Sequence, residues 1–138
     1  YLASNVIFGN SNIFFWGLQY TLEQIRSNPD IRNIRVNETI AAIDAAMACM
    51  EDEKMTRPDA ALIRREFQNT ARLMRLSCLR IRMALEEDPA RCKELSAELA
   101  AGLKDAIEEY QALWLARSRP GGLEDSLAYF KHAQDIPA

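Results

Sequence analysis

The feature that most constrains the fold is a long amphipathic stretch that begins at Asp88-Pro89 and ends at Arg119-Pro120-Gly121-Gly122. Asp is a good helix N-cap and Pro is tolerated at the first helical position, so this pair marks a helix start. Pro and Gly together mark its end. Between these signals the apolar residues recur every three or four positions, at Cys92, Leu95, Leu99, Leu103, Ala106, Tyr110 and Leu113. A stripe of about three heptads predicts a helix that packs one face into a bundle.

The same periodicity predicts helices along most of the chain, in the ranges 12–27, 28–55, 59–87 and 123–132, after an irregular start over 1–12. The third of these helices is expected to bury Ile63, Phe67, Thr70, Met74, Cys78, Ile81 and Leu85. No alternating strand pattern appears. We therefore predict an all-α fold, an antiparallel bundle of four to five helices with short loops, forming one domain over 1–138.

Charge is distributed unevenly along the chain, although the net charge is only −3, from 17 basic and 20 acidic residues. Residues 57–82 hold seven arginines against Asp59 and Glu66, a net charge of +5, whereas residues 83–138 hold eleven acidic and six basic residues, −5. The acidic balance argues against nucleic acid as a partner. The basic helix is expected either to form ion pairs across helix faces or to dock an acidic partner.

Few residues suit metal binding or catalysis. His132 is the only histidine, and Cys49, Cys78 and Cys92 form no CxxC pair, so we expect no metal and no cofactor. Unpaired cysteines usually pack as small hydrophobes, which favours a cytoplasmic location without deciding it. The carboxylate clusters fall at predicted helix ends or on polar faces, where solvated charge is expected. No apolar run approaches the length of a membrane span, so no membrane partner is expected.

The segment 113–126 is more distinctive. It reads Leu-Trp-Leu-Ala-Arg-Ser-Arg-Pro-Gly-Gly-Leu-Glu-Asp-Ser. It resembles the end of the C-terminal helical domain of bacterial β-N-acetylhexosaminidases of glycoside hydrolase family 20, where Asn is usual in place of Ser118. The segment 57–72 and the Leu-rich helix after Glu87-Asp88 also resemble this group. The resemblance covers roughly residues 36–128.

The resemblance implies a parent that removes terminal N-acetylhexosamine residues with an Asp-Glu pair at the mouth of a (β/α)₈ barrel, the substrate's acetamido group acting as nucleophile. No segment of this chain reads as barrel strands. We therefore expect the chain to be catalytically silent and to pack on the barrel, to support a homodimer, or both. Because it starts at Tyr1 rather than Met, we expect it to be the C-terminal part of a longer protein. The alternative is a free-standing helical protein–protein interaction module.

Two groups of residues are candidates for an interface: Trp114, Arg117, Arg119, Gly121 and Gly122 near the Gly-Gly turn, and Arg64, Arg75 and Arg82 on the arginine face of the third helix. Trp and Arg dominate interface energetics, so Trp114 could anchor a partner. Alternatively, Trp114 is a core residue, and Arg117 and Arg119 cap the open carbonyls at the end of their own helix. In the free-standing alternative, the arginine face is the docking site.

Overall fold

The computed structural model describes residues 12–51 and 54–135, and these residues form helices without strands. The predicted all-α class is therefore confirmed. Of the irregular start expected over 1–12, residues 1–11 lie outside the described residues. The helices are α1 Ile13–Gln19, α2 Leu22–Ser27, α3 Pro29–Arg32, α4 Val36–Glu51, α5 Ala60–Leu85, α6 Pro89–Arg117 and α7 Leu123–Asp135.

The described part of the chain holds seven helices, more than the predicted four to five, because each of the first two predicted helices is divided. The first break follows α1, where Thr21 accepts a hydrogen bond from the backbone N–H of Gln24 at 3.1 Å and donates its own N–H to the Gln24 side chain at 2.8 Å. This capping box starts a new helix and so turns the chain. The second break lies at residues 33–35, between α3 and α4.

The predicted start of α6 is confirmed, whereas the start of α5 differs from the prediction. Asp88 Oδ1 accepts the N–H of Ala90 at 3.0 Å, and Pro89 is the first helical residue. By contrast, Pro58 and Asp59 lie in the turn before α5, and the Asp59 side chain makes no capping hydrogen bond. Its carboxylate is bound to arginines instead.

Helices α5 and α6 pack antiparallel, as the contacts at their two ends show. Near the start of α5, Arg65 binds Glu109 in the last third of α6 at 2.8 Å. At the opposite end, the Cys92 thiol in the first turn of α6 lies 3.5 Å from the Met83 carbonyl oxygen. Between them, Gly102 allows α6 to approach Leu76 of α5, since a Cβ there would lie 2.5 Å from Leu76 Cδ2. These two antiparallel helices form the central pair of the bundle.

The core surrounds α5. One cluster lies between α5 and α6, with contributions from α1 and α7, and consists of Leu18, Leu76, Leu79, Met83, Leu95, Leu99, Leu103, Ala106 and Ala133. A second, with Ile25, Ile31, Ile81 and Ala84, seats α2 and α3 on the end of α5. A third, with Ile43, Ala71 and Cys78, seats α4. Helix α5 therefore carries residues of all three clusters, so its buried surface is wider than one stripe.

That wider surface explains where the predicted buried face of α5 is wrong. Phe67 is 51% exposed and Leu85 is 45% exposed, and Thr70 also faces solvent. Helix α6 lies on the side of α5 that carries Leu76, which the prediction left out. Cys78 is buried as expected, and burial raises the pKa of its thiol, whereas Cys49 is exposed and does not pack as a core hydrophobe.

Arg80 is the least expected core residue, with only 1% of its surface exposed. Its Nη1 donates to the carbonyl of Ala133 in α7 at 3.2 Å, and its Nη2 donates to the carbonyl of Tyr20 at the end of α1 at 3.1 Å. Both carbonyls lie at or near helix C-termini, where the helix dipole favours a cation. Burial lowers the pKa of this guanidinium. Arg80 thus ties α1 and α7 to α5.

Candidate functional site

The first predicted interface group lies where α6 ends beside the start of α5. Arg117 binds Glu66 through two hydrogen bonds, from Nε at 2.7 Å and from Nη2 at 3.0 Å, and binds Asp59 from Nη1 at 2.9 Å. Hydrogen bonds from Arg117 lower the pKa of both carboxyl groups. The guanidinium therefore joins two helices, whereas the capping alternative had it on the carbonyls of its own helix end.

The Gly-Gly turn is closed by Trp114. The indole Nε1 donates to the carbonyl of Arg119 at 3.0 Å. Gly122 has a positive φ of 82°, and a Cβ there would lie 3.6 Å from the indole Cζ2. Gly121 is exposed, and a Cβ there would meet nothing within 4 Å. The half-buried Trp114 thus holds its own turn, and its use as an anchor for a partner stays a prediction.

A wide groove lies between α1 and α7, beside Tyr110 in the last third of α6, and we call it the aromatic groove. It has a volume of about 870 Å³ and is lined by Phe15, Trp16, Leu18, Gln19, Tyr20, Gln24, Tyr110, Ser126, Ala128, Tyr129, Phe130 and His132. The Phe15 ring lies 5.5 Å from that of Tyr129, edge to face. Gln19 Nε2 donates to the Tyr129 carbonyl at 3.0 Å, which fixes α1 against α7. Tyr129 itself is 57% exposed.

Sequence reasoning missed this groove. Its walls come from residues 15–24 and 126–132, with Tyr110 between them. Because these segments are far apart in the sequence, no local motif predicts the groove. Helical spacing predicts Tyr110 on an inward face, as part of the core. A surplus of aromatic residues at both ends of the described chain was the one available signal.

The second predicted interface group lies partly along another groove, which we call the basic groove. It has a volume of about 620 Å³, runs over α5 between α4 and α6, and is lined by Ile40, Met47, Gln68, Arg72, Arg75, Leu76, Leu79, Arg82 and Glu98. Arg75 Nε binds Asp44 at 2.8 Å, and Arg82 Nη2 donates to the Asn37 side chain at 2.7 Å. Arg64 is half-buried nearer the start of α5 and does not line this groove.

Three carboxylates lie together on α6, at Asp105, Glu108 and Glu109, in a shallow groove of about 410 Å³. They share one helix, and Arg65 and Arg72 of α5 line the same groove. Arg65 binds Glu109 through two hydrogen bonds, at 2.8 and 3.0 Å, and thereby lowers the pKa of its carboxyl group. A general acid needs the opposite shift, so Glu109 is not arranged for that chemistry.

The described part of the chain also lacks a metal-binding cluster and a membrane-spanning helix. Within it, no three His, Cys, Asp or Glu side chains are grouped so that they could hold a metal ion. Across the same residues, no helix has the length and apolar character needed to cross a membrane.

Comparisons of the chain with models of protein families, with curated proteins and with solved structures found no match. The fold and the surface together define the class of protein as an all-α domain with open grooves between its helices.

Proposed function

We propose that this chain is a non-catalytic docking domain that packs through its aromatic groove on the catalytic barrel of a β-N-acetylhexosaminidase-like glycoside hydrolase. The observation that carries the docking role is the groove itself, with the rings of Phe15, Trp16 and Tyr129 gathered at the surface. Tyr, Trp and Phe are enriched in the buried centres of protein interfaces, where they supply large contact areas.

The choice of a hydrolase barrel as the partner is supported by the resemblance of segment 113–126. Its Arg-Pro-Gly-Gly-Leu turn is a compact local unit here, because Trp114 and Gly122 pack against each other. The contacts between Trp114 and the turn stabilise this segment within the chain itself. A structural role for Trp114 is therefore compatible with the resemblance.

A hydrolysis assay tests the non-catalytic part of the proposal. The chain as given, incubated with a chromogenic N-acetylglucosaminide, is expected to release no more product than buffer alone. Steady turnover by the purified chain, retained after a second purification step, would contradict the proposal.

The free-standing interaction module remains the alternative. The basic groove favours it, because this groove offers a binding surface even when no barrel domain is present. The encoded reading frame upstream of Tyr1 separates the two. Several hundred residues with alternating strand and helix periodicity support the hydrolase. A start codon directly before Tyr1 supports the module.

A further inference from the structure

The basic groove is the strongest remaining feature, because it combines an apolar floor with positively charged walls. Leu76 and Leu79 form the floor, each 7% exposed, and Met47 adds apolar surface from α4. Arg72, Arg75 and Arg82 line the groove, and Glu98 is the one acidic residue among the described residues of its lining. An amphipathic helix laid in a groove is recognised by this pairing of apolar anchors and flanking charge.

The arginines are spaced to suit a helix. Arg72 and Arg82 are ten residues apart on α5, roughly 15 Å along its axis. Between them, Leu76 and Leu79 follow the spacing of one helix face. A segment of about three turns lying along α5 therefore reaches both end arginines while covering both leucines.

Part of the positive charge in this groove is not used within the bundle. Arg75 is bound to Asp44. Arg82 donates to the neutral side chain of Asn37, and among the described residues neither Arg82 nor Arg72 forms an ion pair. The charge of Arg72 acts on Glu109, but the hydrogen bonds of that carboxylate come from Arg65. Among the described residues, neither guanidinium group is held in an ion pair, and Arg72 also lines the neighbouring groove that contains Asp105, Glu108 and Glu109.

We propose that the basic groove binds an acidic amphipathic helix of a partner protein, which lies along α5 between α4 and α6. Its apolar residues contact the half-buried Ile40 and Met47 and the small exposed parts of Leu76 and Leu79, and its Asp or Glu side chains pair with Arg72 and Arg82. The docked helix completes a four-helix arrangement with α4, α5 and α6. This surface is separate from the aromatic groove, so the proposal does not depend on the barrel.

The test is a binding titration with a synthetic peptide of about twelve residues that carries leucines at helical spacing, flanked by glutamates. The full chain is labelled with ¹⁵N, and affinity is measured by the anisotropy of a dye on the peptide. We expect saturable binding that weakens as the salt concentration is raised. Changes in the amide chemical shifts should be confined to residues 37–47, residues 68–82 and the helical turn of α6 that contains Glu98. A scrambled peptide of the same composition should bind about tenfold more weakly or not at all.

Matched variants locate the site. Arg72→Glu with Arg82→Glu should weaken the affinity at least about tenfold, whereas Lys93→Glu with Lys104→Glu, which changes the net charge equally on exposed α6 positions outside the groove, should change it less than about twofold. If the reversed pair fails to fold, Arg72→Gln with Arg82→Gln takes its place. The proposal would be overturned by an equal loss of affinity in the two pairs of variants or by chemical-shift changes centred elsewhere. Equally tight binding of an oligonucleotide of the same charge would also overturn it.

Discussion

At the scale of single residues, the two glycines of the Gly-Gly turn have different constraints. Gly122 has a positive φ and faces the Trp114 ring, whereas Gly121 has open space around it. Side chains with a Cβ are strained at positive φ, and β-branched ones most of all. The turn therefore depends on the second glycine.

We predict that Gly122→Val lowers the free energy of unfolding by about 1 kcal/mol or more. Gly121→Val is the matched control and should cost clearly less, since a Cβ there meets no atom. Urea unfolding of both variants measures the difference. Equal midpoints for the two variants would mean that the backbone conformation of Gly122 does not matter.

Gly17 of α1 depends on a different constraint, the close approach of α5. A Cβ at position 17 would overlap the hydroxyl of Ser77 and lie 3.3 Å from Ile81 Cδ1. Ser77 is fully buried, and within the described structure its hydroxyl has no hydrogen-bond partner. The site is therefore tight, and one of its atoms contributes no hydrogen bond.

We predict that Gly17→Ala destabilises the chain by about 1–3 kcal/mol, the range for overpacking. Ser77→Ala alone should be neutral or stabilising by about 1 kcal/mol, because it removes a buried hydroxyl without a partner. In the double variant the cost of Gly17→Ala should shrink, which a double-mutant cycle in urea measures. Simple additivity would show that the two residues do not compete for space.

At the scale of helices, the junction of α5 and α6 is held by charge. Arg117 of α6 binds Glu66 and Asp59, and it lowers the pKa of both carboxyl groups. A carboxyl group whose folded pKa lies below its unfolded value adds stability above the unfolded pKa, and that stability is lost as the pH falls through the folded pKa. The junction should therefore weaken in acid.

Accordingly, Arg117→Gln should lower the urea midpoint most above about pH 5, and the gap to the unsubstituted chain should close below about pH 4. Arg91→Gln is the control, since the ion pair that Arg91 forms among the described residues, with Glu94, lies within α6. It should change the midpoint little at any pH. A constant gap for Arg117→Gln across the acid range would show that the ion pairs do not cause the effect.

Helix starts could be predicted from sequence where a single residue carries the signal. Asn28-Pro29 and Asp88-Pro89 both begin helices as expected. The capping box of Thr21 and Gln24 was also present in the sequence but lay inside an unbroken apolar period, which hid the break. Burial was harder, since Phe67 and Arg80 depend on which side of α5 its neighbours occupy. The carbonyls that receive Arg80 lie more than fifty residues away.

At the scale of the whole molecule, α5 organises the surface as well as the core. Helices α4 and α6 flank it and leave the basic groove between them, while α1 and α7 meet beside it and form the aromatic groove. Both grooves combine side chains distant in sequence, so neither could be predicted from local patterns. The arginine face could be predicted, because Arg64, Arg75 and Arg82 lie on one helix, α5, and their spacing is visible in the sequence.

The central claim is that the chain acts by docking through the aromatic groove. A photoreactive benzophenone amino acid placed at Tyr129 in the intact protein tests it most directly, with the same substitution at Phe67 as the control, since that residue is exposed but lines neither groove. We predict a light-dependent adduct from position 129, but not from 67, that mass spectrometry assigns to a peptide of a barrel domain. No adduct at 129, equal adducts at both positions, or an adduct only to a second copy of this chain would contradict the account.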